Sequence, residues 1–121
     1  MSSLTEKRHD AEFLLSEAPG NLSIDNVTLL SGQNLKSGAV LGQVSASSKL
    51  KALDPAALDG SQNAVAILLK DEDASAGDLE AAVVARLAEV KSDLLVWAAG
   101  VTTGQQSTAL TALANKFIIA R

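Results

Sequence analysis

The chain has 121 residues, with ten Lys and Arg against fourteen Asp and Glu, and its net charge of −4 is spread without a basic cluster, which argues against a nucleic-acid partner. It contains no cysteine, so disulfides, thiolate metal sites and cysteine nucleophiles are excluded. The 47% hydrophobic content is nearly all aliphatic, and Phe13, Trp97 and Phe117 are the only aromatic residues; this suits one small domain whose modest core gains from burial against other copies.

Residues 1–21, MSSLTEKRHDAEFLLSEAPGN, carry four acidic and two basic residues and the single histidine, and they end in the breaker Pro19-Gly20-Asn21. They read as a flexible N-terminal arm in which only Phe13-Leu14-Leu15 could act as an anchor. The stretch lacks the apolar segment of a signal peptide. Nowhere does the chain approach the roughly 18 continuous apolar residues of a membrane helix, so a soluble protein with no membrane partner is expected.

Residues 22–121 change texture to short apolar runs separated by turn residues, the pattern of a β-rich domain. Val27–Leu30 is a strand candidate, followed by the turn-like Ser31-Gly32-Gln33-Asn34. In Ala39–Ala46, Val40, Gly42 and Val44 alternate with Leu41, Gln43 and Ser45. Lys49–Leu53 alternates again after Ser47-Ser48, which predicts a hairpin. Asp54–Gly60 is a loop or a single helical turn, and Ala64–Lys70 is a buried strand by its unbroken apolar character. The acidic segment Asp71–Asp78 is an exposed loop. Leu79–Val90 is ambiguous: its alanines, and Leu79, Val83, Leu87 and Val90 on one face, favour a helix, while Val83, Ala85 and Leu87 also alternate as a strand would. Leu94–Trp97 is a short strand closed by Gly100, Thr102–Asn115 a short helix, and Phe117–Ala120 a docked terminal strand. Leu94-Leu95 and Phe117-Ile118 belong to the core, and Trp97 is either a core residue or an anchor at a subunit interface.

Chemistry is sparse. His9 stands in the arm, with no folded-domain Ser or Asp near it in sequence. The acidic run Asp71, Glu72, Asp73 and Asp78 lacks the spaced ligand frame of a calcium loop, so no metal is expected. Gly32, Gly38 and Gly42 make neither a dinucleotide fingerprint nor a phosphate loop. In LKSGAVLGQV (residues 35–44) the glycines read as backbone devices, Gly38 opening a strand and Gly42 permitting a bend or close packing. The same hairpin, with Lys49 and Lys51, has an alternative reading as a lipoyl- or biotinyl-like swinging-arm carrier modified at one of those lysines. Its flanks, Ser48-Lys49-Leu50 and Leu50-Lys51-Ala52, match neither DKA nor MKM. Neither an enzyme nor a cofactor is expected.

Taken in order, LKSGAVLGQVSASSKLKAL, DPAALDGSQNAVAILL, the pair AAVVARLAEV and DLLVWAAG, and a short helix running into FIIAR are similar to the head decoration proteins of lambda-like bacteriophages, from about Ile24 to Arg121. The resemblance implies a mainly β (β-rich α+β) fold: a small compact β-barrel or tulip-like domain over residues 22–121, with one or two short helices. It makes Ala82–Val90 a strand. It also implies a non-enzymatic protein that binds as a homotrimer at local three-fold positions of an expanded capsid and holds it against internal DNA pressure. The implied partners are the major capsid protein and further copies of the chain. The implied location is the outer capsid surface of the virion, with assembly in the host cytoplasm. Residues 1–21 would order on the shell, with Leu4, Phe13, Leu14 and Leu15 as the arm's capsid contacts, and a chain lacking residues 1–15 would then fold but not bind.

Overall fold

A computed structural model describes residues 13–17 and 22–121. In chain order its strands are β1 Leu14–Glu17, β2 Ile24–Leu29, β3 Asn34–Leu35, β4 Val40–Gln43, β5 Leu50–Ala52, β6 Ala64–Leu68, β7 Glu72–Asp73, β8 Leu79–Val84 and β9 Ala88–Val90. A 3-10 turn at Ser92–Leu94, the helix α1 Thr103–Ala114 and β10 Ile118–Ala120 follow.

Alternation along the middle strands builds a closed barrel in the order β2-β5-β4-β6-β8. The expected hairpin forms, with Leu41 opposite Ala52 and Gln43 opposite Leu50. β8 closes the barrel by pairing antiparallel with β2 over six positions, from Ile24↔Val84 to Leu29↔Leu79. One side of each strand fills the barrel with Leu29, Leu41, Leu50, Ala66, Leu68, Ala81 and Val83. A five-stranded barrel is narrow, so alanines at 39, 66, 74 and 81 take positions that larger side chains would overfill. The aliphatic, alanine-rich composition follows from that geometry.

The other side of the wall carries a second core. Val40, Ile67 and Val84 point outward and meet Phe13, Val90, Leu95, Leu113 and Ile118, supplied by α1 and by a three-stranded sheet in the order β1-β9-β10. Adjacent residues thus serve opposite cores: Val40 and Leu41, Ile67 and Leu68, Val83 and Val84. Ala64 and Ala66 break this parity, because a bulge lies between Leu41↔Ala66 and Gly42↔Ala64.

Gly42 fits the role expected of it. A Cβ there would lie 2.1 Å from the Ser61 carbonyl oxygen, so the 59–61 loop packs directly on the bare strand. Gly38, at φ +93°, opens β4 in a conformation that side chains disfavour.

The predicted helix Thr102–Asn115 is present as α1, opened by a capping box: Gln105 N–H donates to Thr102 Oγ1 at 3.2 Å, and Thr102 N–H to Gln105 Oε1 at 2.9 Å. Four expectations are corrected. Leu79–Val90 is neither a helix nor one strand. Pairing with β2 and β6 overrides alanine's helix preference, and the run breaks into β8 and β9 where Leu87 turns left-handed at φ 56°. Leu94–Trp97 is not a strand, since the 3-10 turn is followed by one parallel bridge between Val96 and Ala39. The acidic loop contains β7, which pairs with β3 through Asn34↔Asp73 and Leu35↔Glu72. The last strand starts at Ile118, and Phe117 is left-handed at φ 62° and 65% exposed, outside the core.

Candidate functional site

Among the described residues no group of His, Asp and Glu is placed to hold a metal ion, and no helix is long and apolar enough to cross a membrane. His9 lies outside the described residues. A groove of about 520 Å³ between α1 and the β5–β6 loop is lined by Gln62, Asn63, Thr102, Gln105 and Thr108 over an alanine and leucine floor. Its lining has no titratable side chain and therefore no general acid or base.

The carboxylates act as turn and surface devices. Asp59 Oδ1 accepts from the Ser61 hydroxyl at 2.6 Å and from its amide at 3.0 Å, which holds the 59–61 loop over Gly42 and keeps the Asp59 carboxyl below its ordinary value. Ser75 lowers Asp73 through its side chain and amide in the same way. Asp78 is lowered by Lys49, with which it forms an ion pair, and by the Ser31 amide. A carboxyl lowered in the folded state stabilises the fold above its unfolded value, here 3.8, and that contribution is lost as pH falls through the folded value. The thermal midpoint is therefore expected to hold steady from pH 7 to about 5 and to drop below about 4. In Asp78→Asn the drop should be shallower, as differential scanning calorimetry across that range would register.

The two lysines of the carrier alternative are not presented as arms. The hairpin tip is the turn at Val44–Ser48, where Ser48 N–H donates to the Val44 carbonyl at 2.8 Å. Lys49 lies at the foot of that turn, paired with Asp78, and Lys51 is 3.9 Å from Asp54. Nothing in this geometry favours a modified lysine.

Of the expected arm contacts, Leu4 lies outside the described residues. Phe13 is fully buried in the outer core, Leu14 packs against the same core, and Leu15 is 44% exposed. β1 adds to β9 antiparallel, Leu14↔Val90 to Glu17↔Ala88, with a bulge after Leu14. Among the described residues β1 is an edge strand, in the sheet order β1-β9-β10. Trp97 is half-buried against the outer core, with part of its surface open.

The sequence reading missed a surface feature at one end of the barrel. Leu22, Leu87 and Phe117 are 59%, 44% and 65% exposed. Hydrogen bonds to main-chain carbonyls join them: Ser23 Oγ donates to the Leu87 carbonyl, Arg86 Nη1 to the Leu22 carbonyl, and Leu87 N–H to the Lys116 carbonyl. Leu87 and Phe117 both hold left-handed backbone, at a cost of about 1 kcal/mol or more each for a side-chain-bearing residue. No sequence signal marks them, because left-handed positions are normally betrayed by Gly or Asn.

A family model described as bacteriophage lambda head decoration protein D matches residues 3–118. No curated protein matches the chain.

Proposed function

We propose that this chain, which belongs to the family of the bacteriophage lambda head decoration protein D, binds as a homotrimer at local three-fold positions of an expanded phage head and stabilises it against the pressure of packaged DNA. Family membership makes it a structural component of the virion capsid. The observation that carries the reading is the extent of the match, which begins at residue 3 and so takes in the arm as well as the barrel domain.

The fold supplies the parts such a role needs. β1 ties the root of the arm to the domain through Phe13 and exposes one strand edge, to which a capsid-protein strand could add with main-chain hydrogen bonds. A twelve-residue segment drawn out at about 3.3 Å per residue would span roughly 40 Å. Within the arm, Leu4 and Leu15 are the proposed shell contacts, while Phe13 and Leu14 hold the arm's base. Of its two readings, Trp97 keeps that of a core residue, packed on the outer core with one side open.

The mechanism is thermodynamic. A trimer engages several capsid subunits at once, so individually weak arm contacts reinforce one another through effective concentration. Binding the expanded lattice and not its dissociated subunits shifts the equilibrium toward the intact head. The reading needs no nucleic-acid or membrane partner: the protein acts on the outer surface, after joining the head in the host cytoplasm.

The test mixes the purified chain with expanded, undecorated heads of its phage. Saturable co-sedimentation in multiples of three chains, with a higher temperature for bursting of DNA-filled heads, is the expected result. Heads that neither bind the chain nor gain heat resistance would overturn the proposal.

A further inference from the structure

The Leu87–Phe117 corner is costly for an isolated subunit, because it combines left-handed backbone with exposed large apolar side chains. The Phe117 ring stands between two cavities. One, of about 290 Å³, opens on the outer face of the β1-β9-β10 sheet and includes Glu17, Leu87 and Ile119. The other, of about 360 Å³, is the barrel mouth, with Val27, Leu50, Val65 and Ala85 in its lining and Lys116 at its rim. Glu17 and Lys116 have no ion-pair partner among the described residues. A projecting ring, a recess on each side of it, and charges of opposite sign across it give this corner two unlike, mutually complementary halves.

We infer that this corner is the face through which a second copy of the chain docks, the Phe117 ring of one copy seating in a cavity beside Phe117 of the next and the Glu17 side of one facing the Lys116 side of its neighbour. A head-to-tail contact of this kind, with two different complementary halves on each molecule, is the type that closes into a ring by rotation. The inference rests on the trimer reading above and deepens it, by assigning the contact between copies to Leu22, Leu87 and Phe117. The strain is thereby explained: left-handed backbone pushes both side chains away from their own core and toward the neighbour.

The test is the double variant Leu87→Gly/Phe117→Asn, in which both replacements tolerate left-handed backbone and the fold should be retained or strengthened. Sedimentation equilibrium is expected to show wild-type trimers and a variant whose association is weaker by roughly 100-fold or more, with an unchanged far-UV circular dichroism spectrum. A double variant that assembles as tightly as wild type would overturn the inference while leaving the trimer reading intact. One that assembles normally but no longer binds expanded heads would also overturn it, by giving the face to the capsid protein. A wild-type chain that stays monomeric at all concentrations would sink both.

Discussion

Replacing Gly42 by alanine is expected to lower stability by about 3 kcal/mol or more, a large share of the roughly 5–15 kcal/mol available to a domain of this size. The added methyl carbon would lie 2.1 Å from the Ser61 carbonyl oxygen, 2.7 Å from its carbonyl carbon and 2.8 Å from its Cα. All three are main-chain atoms, so no side chain can swing aside. The loop is held down as well: Asp54 N–H donates to that same Ser61 oxygen at 3.1 Å, and Ser61 donates to Asp59 through both hydroxyl and amide. Relief would require moving the 59–61 loop off the barrel or reversing the bulge opposite Gly42, which would turn Ala64 away from the outer core. Gly104→Ala is the control. Nothing lies within 4 Å of a Cβ at that position in the first turn of α1, so alanine should stabilise, by up to about 1 kcal/mol. Urea denaturation measures both. A Gly42→Ala midpoint equal to wild type would show that the loop gives way freely and that its close approach is incidental.

That glycine shows which parts of the fold are legible in sequence. LKSGAVLGQV can be read because alternation and glycine placement are local properties: Val40 and Leu41 declare two faces, and a glycine in mid-strand declares a close approach. The helix is equally readable, since Thr102 and Gln105 carry their own capping chemistry. Leu79–Val90 is not, because its apolar residues satisfy both periods, and the decision belongs to β2 and β6, which are distant in sequence. The bulge near Ala64 leaves no mark because it is imposed by the partner strand. Of the candidate surfaces, the arm stands out by composition. The Leu87–Phe117 corner is hidden because each residue, taken alone, looks like core. Phe13 is legible as an anchor of the arm but not as a core residue of the domain, because the charged residues before it give the segment the composition of a tail.

Phe13 therefore decides where the arm can be cut, and removing residues 1–12 or residues 1–17 is expected to fail in opposite ways. Phe13 is fully buried in the outer core beside Val90 and Ile118, and its carbonyl accepts from Lys91 N–H at 2.7 Å. A cut after residue 17 removes that ring together with all of β1, leaving a cavity and an uncovered edge on β9. Loss of a buried phenylalanine side chain alone costs about 3–5 kcal/mol, so this truncation should melt far below wild type or aggregate. Phe13→Ala in the full-length chain should reproduce most of that loss. A cut after residue 12 touches neither the ring nor the β1–β9 pairing, so its thermal midpoint should match wild type. Its defect should be in binding. On the proposed reading, in which each trimer engages the shell through three arms, affinity for expanded heads should fall by more than about 1,000-fold, which a loss of only about 4 kcal/mol shared among the arms would produce. Truncation after residue 15 removes Phe13 too, so it would confuse a folding defect with a binding defect, whereas the cut at 12 separates them. Unchanged decoration by the chain lacking residues 1–12 would exclude those residues as the capsid contact and leave it to the β1 edge, and an unchanged melting point for the chain lacking residues 1–17 would exclude β1 as part of the domain.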